Sequence, residues 1–320
     1  MNLDLECPKC RLKSPEELLY CRNCRSRLIP KSKYDLDFRD YVYRPDLDAI
    51  QTVKATGFLP YLLKRFTVAD FERRMLSTLS AEALRVQYPS DLDMLVRQCA
   101  SRLSLHSLPE VFVVNDRQPN AFTFGSEDHA YVVLVSSLLR ILSTQELMAV
   151  IGHEFGHIKS GHMLYHTLAE VLAGGIGVSA SLLGLNVVSI PLRLALLSWH
   201  RESEVTADRT SLLLVNDINV LETLLQKSAG SEPTSPNQAK IGERVGMLEA
   251  VGELFRTHPM NSNRFRLADQ FWKSQEFRRA KGKIERRQKL MRALTPVCRF
   301  CGKSKATEDL FCPSCRKSQA

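Results

Sequence analysis

The sequence opens with neither a basic n-region nor an apolar h-region, so no export is expected and a reducing cytoplasm is the simplest compartment. It lacks the scattered cysteines of a disulfide framework: eight of its nine fall into Cys-x-x-Cys pairs near the two ends. It has no internal repeat beyond those paired modules, and only one uncharged apolar run, 171–192, reaches the length of a membrane span. Acidic residues are the minority, 35 against 44 Lys and Arg, for a formal charge of +9. That excess is local: Arg278, Arg279, Lys281, Lys283, Arg286, Arg287, Lys289 and Arg292 stand against Glu285, and the remainder is close to neutral. Four thiolates around a zinc would lower the net charge by a further amount of about 2 per site. A composition of 44% hydrophobic and 25% charged residues over 320 positions excludes disorder throughout and suffices for one domain of ordinary size with small appendages.

The cysteine pairs delimit the ends. Cys7, Cys10, Cys21 and Cys24 place an N-terminal zinc ribbon at 1–30; Cys298, Cys301, Cys312 and Cys315 place a C-terminal one at 296–320. Each module has two knuckles separated by ten residues, the arrangement that a closed four-thiolate site needs. Such a site contributes folding energy to a module too small for its own apolar core. The redox or disulfide reading is the weaker one, and the identical spacing favours one zinc within each module over pairing between the termini. Cys99, in a run with Leu95, Val96 and Leu103, reads as a buried apolar residue.

Between the modules, 31–87 reads as a polar and helical wrap or linker, with a helical pattern through Phe71, Met75, Leu76 and Leu79. The segment 88–275 reads as the core, and 276–295 as a basic, solvated helical linker. Two β-rich runs, Val111–Val114 and Tyr131–Val135, predict a small antiparallel sheet. Ser143 with Glu146 forms a capping box, after which Leu147, Val150, Ile151, Phe155 and Ile158 recur at helical spacing. The run 171–192 contains four glycines and Pro191, which fit a helix–loop–helix buried in the core or a shallow membrane-dipping hairpin, the buried form being preferred. Two full spans would need about 40 apolar residues, more than the stretch holds. Ser228–Asn237 reads as a loop.

The chemistry concentrates in His153-Glu154-Phe155-Gly156-His157. Residues four apart on a helix share a face, so both imidazoles reach one zinc. A catalytic zinc takes three protein ligands and a water whose pKa falls to about 7. Glu154 is then placed to take that water's proton and pass it to a leaving amine. Glu204, in a second helical stretch, completes a His, His, Glu set, and Asp208 one turn on is placed to accept the other ring N–H of a ligand histidine. Gly152 and Gly156 predict close helix packing near the metal. With the ligand set complete, His162 and His166 read as surface or packing residues that extend the same helix; His106, His129 and His200 have no identifiable partner.

These residues lie within longer matching stretches: Asn120–Gly125, Gly152–His162, Glu204–Asp208 and Thr257–Arg264. Over roughly 40–275 the chain resembles the gluzincin metallopeptidases that include the bacterial membrane protease HtpX and the CAAX prenyl endopeptidases. The resemblance implies an α+β fold, a mostly helical zincin-type core with a small antiparallel sheet, flanked here by the two ribbons. It implies a zinc-dependent endopeptidase that binds an extended protein or peptide substrate beside an edge strand. It makes His258 and Arg264 candidates for stabilising the oxyanion or orienting Glu204, and puts Asn120 near the substrate. One catalytic and two structural zinc ions follow. The family's membrane members have spans before the helix motif and this chain has none, so bilayer-embedded substrates do not carry over.

Two other readings compete. A catalytically silent scaffold would use the ribbons and the basic segment to grip nucleic acid or protein partners. The ribbons lack interleaved aromatics for stacking, so nucleic acid is not an expected partner, whereas a protein adaptor is. In the other, 171–192 and the basic stretch give peripheral membrane association through anionic lipid.

Overall fold

The computed structural model describes residues 4–15, 19–55, 68–126, 129–167, 189–229 and 262–294. The C-terminal cysteines Cys298, Cys301, Cys312 and Cys315, together with His258 and most of 171–192, lie outside these residues, as does the predicted loop from 230 onward.

A four-stranded sheet is sandwiched between helices. Its strands are β3 (Ala83–Arg85), β4 (Glu110–Val114), β5 (Ala121–Gly125) and β6 (Ala130–Val135), in the spatial order β3-β4-β6-β5; the hairpin β1 (Asp4–Glu6) and β2 (Lys13–Pro15) stands apart from it. The β3–β4 and β5–β6 ladders are antiparallel. The two β-rich runs legible in the sequence, β4 and β6, instead pair in parallel, Val111 opposite Val132 and Val113 opposite Leu134. The correction has a simple origin: β5 occupies the connection between them and returns the chain, so β6 runs in the direction of β4. Every residue of β6 is buried, as a strand covered on both faces requires. Phe112, Tyr131 and Val133 face the helix α2 (Val68–Glu82) through Phe71, Met75 and Leu79. On the other face Val111, Val132 and Leu134 join the main core with α3 (Asp91–Arg102), which includes the buried Cys99.

After the short α4 (Ser136–Ile141), α5 (Thr144–Lys159) starts at the predicted capping box: Ser143 Oγ accepts from Glu146 N–H, and the Glu146 carboxylate accepts from Ser143 N–H. It packs along α6 (Ser189–Val215), and α7 (Ile218–Ala229), α8 (Ser262–Lys273) and α9 (Gln275–Leu294) complete the helical layer. None of the described helices is long and apolar enough to cross a membrane.

The α5–α6 contact depends on glycine. A Cβ at Gly156 would stand 2.8 Å from Ala207 Cα and 3.0 Å from Thr210 Cβ. At Gly282, within α9, a Cβ meets nothing within 4 Å. Alanine should therefore act oppositely at the two positions. Gly282→Ala should raise stability by about 0.5–1 kcal/mol through helix propensity alone. Gly156→Ala gains the same propensity but incurs about 1–3 kcal/mol of overpacking against backbone. Thermal denaturation of the pair should show a raised midpoint for the first and a lowered one for the second.

The N-terminal segment is built into the body. Tyr20 lies in the main core and donates from its hydroxyl to Leu105 O at 3.2 Å. The Arg25 guanidinium donates to Leu108 O and Pro109 O, and Leu108 N–H returns a bond to Arg25 O. Farther on, Tyr41 is buried against the end of α5, and the helix α1 (Arg44–Ala55) packs on α6. The helix α9 is not solvated all round, as its charge suggested. Phe277, Ala280 and Ile284 make one face apolar, and Arg287, on the same face, pairs with Asp35, itself held by Arg27. Lys283 reaches Asp40 at 2.7 Å and Asp37 at 3.3 Å.

Candidate metal centre and its supports

Helix α5 presents His153 and His157 one turn apart, and α6 presents Glu204 and Asp208 one turn apart; the glycine contact brings the two faces together. His153 Nε2 lies 3.2 Å from His157 Nε2, Glu204 Oε2 lies 3.3 Å from His153 Nε2, and Glu204 Oε1 lies 3.4 Å from His157 Nε2. Ligand atoms about 2.0–2.1 Å from a tetrahedral zinc stand about 3.3–3.4 Å from one another. The three residues thus fit that ion in both chemistry and spacing.

Glu154 sits on the same helix, 3% exposed, and its Oε2 accepts no hydrogen bond among the described residues. Burial pushes its carboxyl up to about 7, assisted by the charge of Glu204 and opposed by His153. Burial disfavours charge on His153 too, yet Glu204 and Asp208 overcome it and raise the imidazole to about 10. On His157 burial prevails and holds the ring at about 3.

Asp208 Oδ1 lies 3.1 Å from His153 Nδ1. Arg264, from α8, donates to both Asp208 oxygens at 2.7 and 2.8 Å, and its Nη1 lies 3.3 Å from Glu204 Oε2. Its nitrogens are turned onto two carboxylates, the geometry of the orienting alternative. Asn120 stands at the start of β5, its O accepting from Val135 N–H and its Oδ1 from Ala121 N–H. From there β5, the last strand of the sheet among the described residues, runs beside α5.

Reasoning from the sequence missed the role of His162. The expectation that α5 continues through it fails because the helix ends at Lys159, and Gly161 turns left-handed at φ 68°. His162 N–H then bonds His157 O and Gly161 N–H bonds Ile158 O, a Schellman closure. The turn folds His162 back beneath His157, with their Nδ1 atoms 3.1 Å apart, and buries it. His166 and His200 are buried as well, their ring centroids 4.6 Å apart. His106 and His129 are exposed.

At the N-terminus, Cys7, Cys10, Cys21 and Cys24 converge with all four sulfurs within 4.8 Å of one another. The closest pairs, 3.4 and 3.6 Å, are far from the disulfide length of about 2.05 Å. Both knuckles close identically: Arg11 N–H bonds Cys7 O, Arg25 N–H bonds Cys21 O, and each arginine is left-handed.

The profile of peptidase family M48 matches residues 87–271, more than half of the chain. The plastoglobule-localized metallopeptidase 48, chloroplastic, of Arabidopsis thaliana is 33% identical over 153 residues, 48% of this chain and 44% of that protein. A protease HtpX homolog of Bifidobacterium longum is 25% identical over 227 residues, 60% of this chain and 74% of that protein. Another, of Campylobacter curvus, is 25% identical over 235 residues, 63% of this chain and 77% of that protein. The chain thus spans less than half the length of the plastid relative. No solved structure matches. The matched stretch contains His153, Glu154, His157, Glu204, Asp208 and Arg264, and with it the chain belongs to peptidase family M48.

Proposed function

We propose that the protein is a zinc-dependent endopeptidase, in which His153, His157 and Glu204 hold the catalytic zinc and Glu154 is the general base and acid. The observation that carries the reading is the set of three potential ligand atoms at 3.2–3.4 Å beside a buried carboxylate whose Oε2 has no hydrogen-bond partner among the described residues. When bound, zinc supplies Lewis acidity and a water of pKa about 7. Glu154 would accept a proton from the attacking water and return it to the departing amine. Burial keeps that carboxyl's proton affinity high enough for both transfers. Asp208 orients His153, and Arg264 acts as a positioning residue that restrains Asp208 and Glu204 together.

An extended substrate would add beside β5, near Asn120, where main-chain hydrogen bonds would bring the scissile bond towards α5. His258 is the remaining candidate for the oxyanion. The two cysteine modules would each hold a structural zinc, making three ions with the catalytic one, and offer a surface for a protein adaptor. Intramolecular pairing of Lys283 and Arg287 weighs against a nucleic-acid scaffold, because it takes two of the basic residues such a scaffold would use. A cytoplasmic enzyme is the preferred reading, and the apolar run 171–192 with the basic stretch keeps peripheral membrane association as the competing one.

Cleavage of unfolded casein tests the activity. Hydrolysis should stop on chelation and return on addition of zinc; hydrolysis that persists after complete zinc removal would contradict the proposal.

A further inference from the structure

The two ligand histidines are supported differently. His153 is backed directly by a carboxylate, Asp208. His157 Nδ1 instead meets His162 Nδ1 at 3.1 Å, and His162 Nε2 lies 3.1 Å from Asp46 Oδ2. Asp46 comes from α1, outside the 87–271 stretch that matches the family. It is a buried carboxylate with two further donors, Trp199 Nε1–H to Oδ1 at 2.8 Å and Thr206 Oγ1–H to Oδ2 at 2.6 Å.

We propose that Asp46 and His162 form a positioning relay that fixes His157 as a metal ligand, so that the N-terminal wrap completes the catalytic centre. The proposal rests on the zinc reading above. With both rings neutral, the hydrogen-bond inventory permits one consistent arrangement. Ionised Asp46 only accepts, so His162 Nε2 carries its proton toward Asp46 and leaves Nδ1 as an acceptor. His157 must then carry its proton on Nδ1, which donates to His162 and leaves the Nε2 lone pair directed at the site. With His153 as the neutral ring that a metal ligand must be, the same logic from Asp208 directs its Nε2 lone pair at the site. Both ligands are thereby set to bind through Nε2, the atoms that stand 3.2 Å apart. The carboxylate acts on His157 through an imidazole because Asp46 lies one ring farther off, and the left-handed turn at Gly161 is what inserts that ring.

A buried Asp46 would also serve as a plain structural staple between α1 and α6, so the test must separate the two roles. Zinc content is measured by elemental analysis across a series of buffered free-zinc concentrations, with His153→Ala identifying the step that belongs to the catalytic site. Asp46→Asn and His162→Gln are each expected to shift the midpoint of that step about 10- to 100-fold toward higher free zinc. The double variant should shift it no farther than His162→Gln alone, because the two residues act along one path. Thr206→Val, which removes a different donor from the same carboxylate, should leave the midpoint within about twofold. Circular dichroism and thermal unfolding of the zinc-free proteins identify any variant that does not fold; the remaining single variant then carries the test.

An unmoved midpoint in folded Asp46→Asn and His162→Gln would overturn the relay and leave the peptidase reading intact. Additive shifts in the double variant, or a Thr206→Val shift as large as that of Asp46→Asn, would likewise reduce Asp46 to a staple. A wild type without any His153-dependent zinc would overturn both the relay and the zinc reading beneath it.

Discussion

Glu154→Gln should lower kcat for casein hydrolysis by about 10²- to 10⁴-fold while leaving the zinc content unchanged. The substitution keeps the shape of the side chain and removes only its capacity to accept and return a proton. The three proposed ligand atoms belong to other residues, so their spacing and their metal affinity should be indifferent to it. A second consequence separates this residue from a structural one. The Glu154 carboxyl is buried, its Oε2 has no hydrogen-bond partner among the described residues, and burial is the main reason its pKa rises. A neutral amide there avoids desolvating a charge, so the variant should unfold at a temperature no lower than the wild type. Lost activity with retained zinc and retained stability is the signature of a group kept for chemistry. A fall in thermal stability together with loss of zinc would instead mean that Glu154 holds the site together.

Cys21→Ser should cost the protein one zinc and also lower the unfolding temperature of the core. The metal contribution to so small a module is large: structural zinc in finger peptides binds with an apparent free energy of about 10–16 kcal/mol. Without it the hairpin and its two knuckles lose the interaction that organises them. The effect should spread because the segment is tied inward through Tyr20, Arg25 and Arg27. Exposing the Tyr20 ring alone would remove about 1.5–3 kcal/mol of apolar burial. At about 2–4 °C per kcal/mol for a core of this size, that lowers the midpoint by about 3–12 °C. Differential scanning calorimetry of the variant checks it. A core transition unchanged in temperature would show instead that the ribbon is an independent appendage.

The parts of the site legible in the sequence were those encoded over one helical turn. His153 with His157, Glu204 with Asp208, and Ser143 with Glu146 each announce a shared helix face or a cap at fixed spacing, and the structure shows each in that relation. The knuckle cysteines are local in the same sense. What was not legible depends on chain direction or on partners far apart in sequence. Two β-rich runs look the same whether paired in parallel or not, and only the return strand β5 decides between them. His162 looked like one more residue of α5, because its meaning comes from the left-handed turn at Gly161 just before it. Asp46 lies in a segment that reads in the sequence only as a polar and helical wrap or linker; it is buried because donors distant in sequence converge on it. The basic run of α9 misled for a related reason. Charge was visible in the sequence, but the carboxylates that meet Arg287 and Lys283 belong to the N-terminal wrap.

The most direct test of the account compares zinc content and casein cleavage between the wild type and His153→Ala. His153 is one of the three proposed ligands and lies far from the cysteine module in sequence, so its loss should empty only the catalytic position. The account predicts that the variant holds one zinc fewer per chain and cleaves no casein. Equal zinc content in the two proteins, with cleavage retained in the variant, would show that His153, His157 and Glu204 do not form the metal centre.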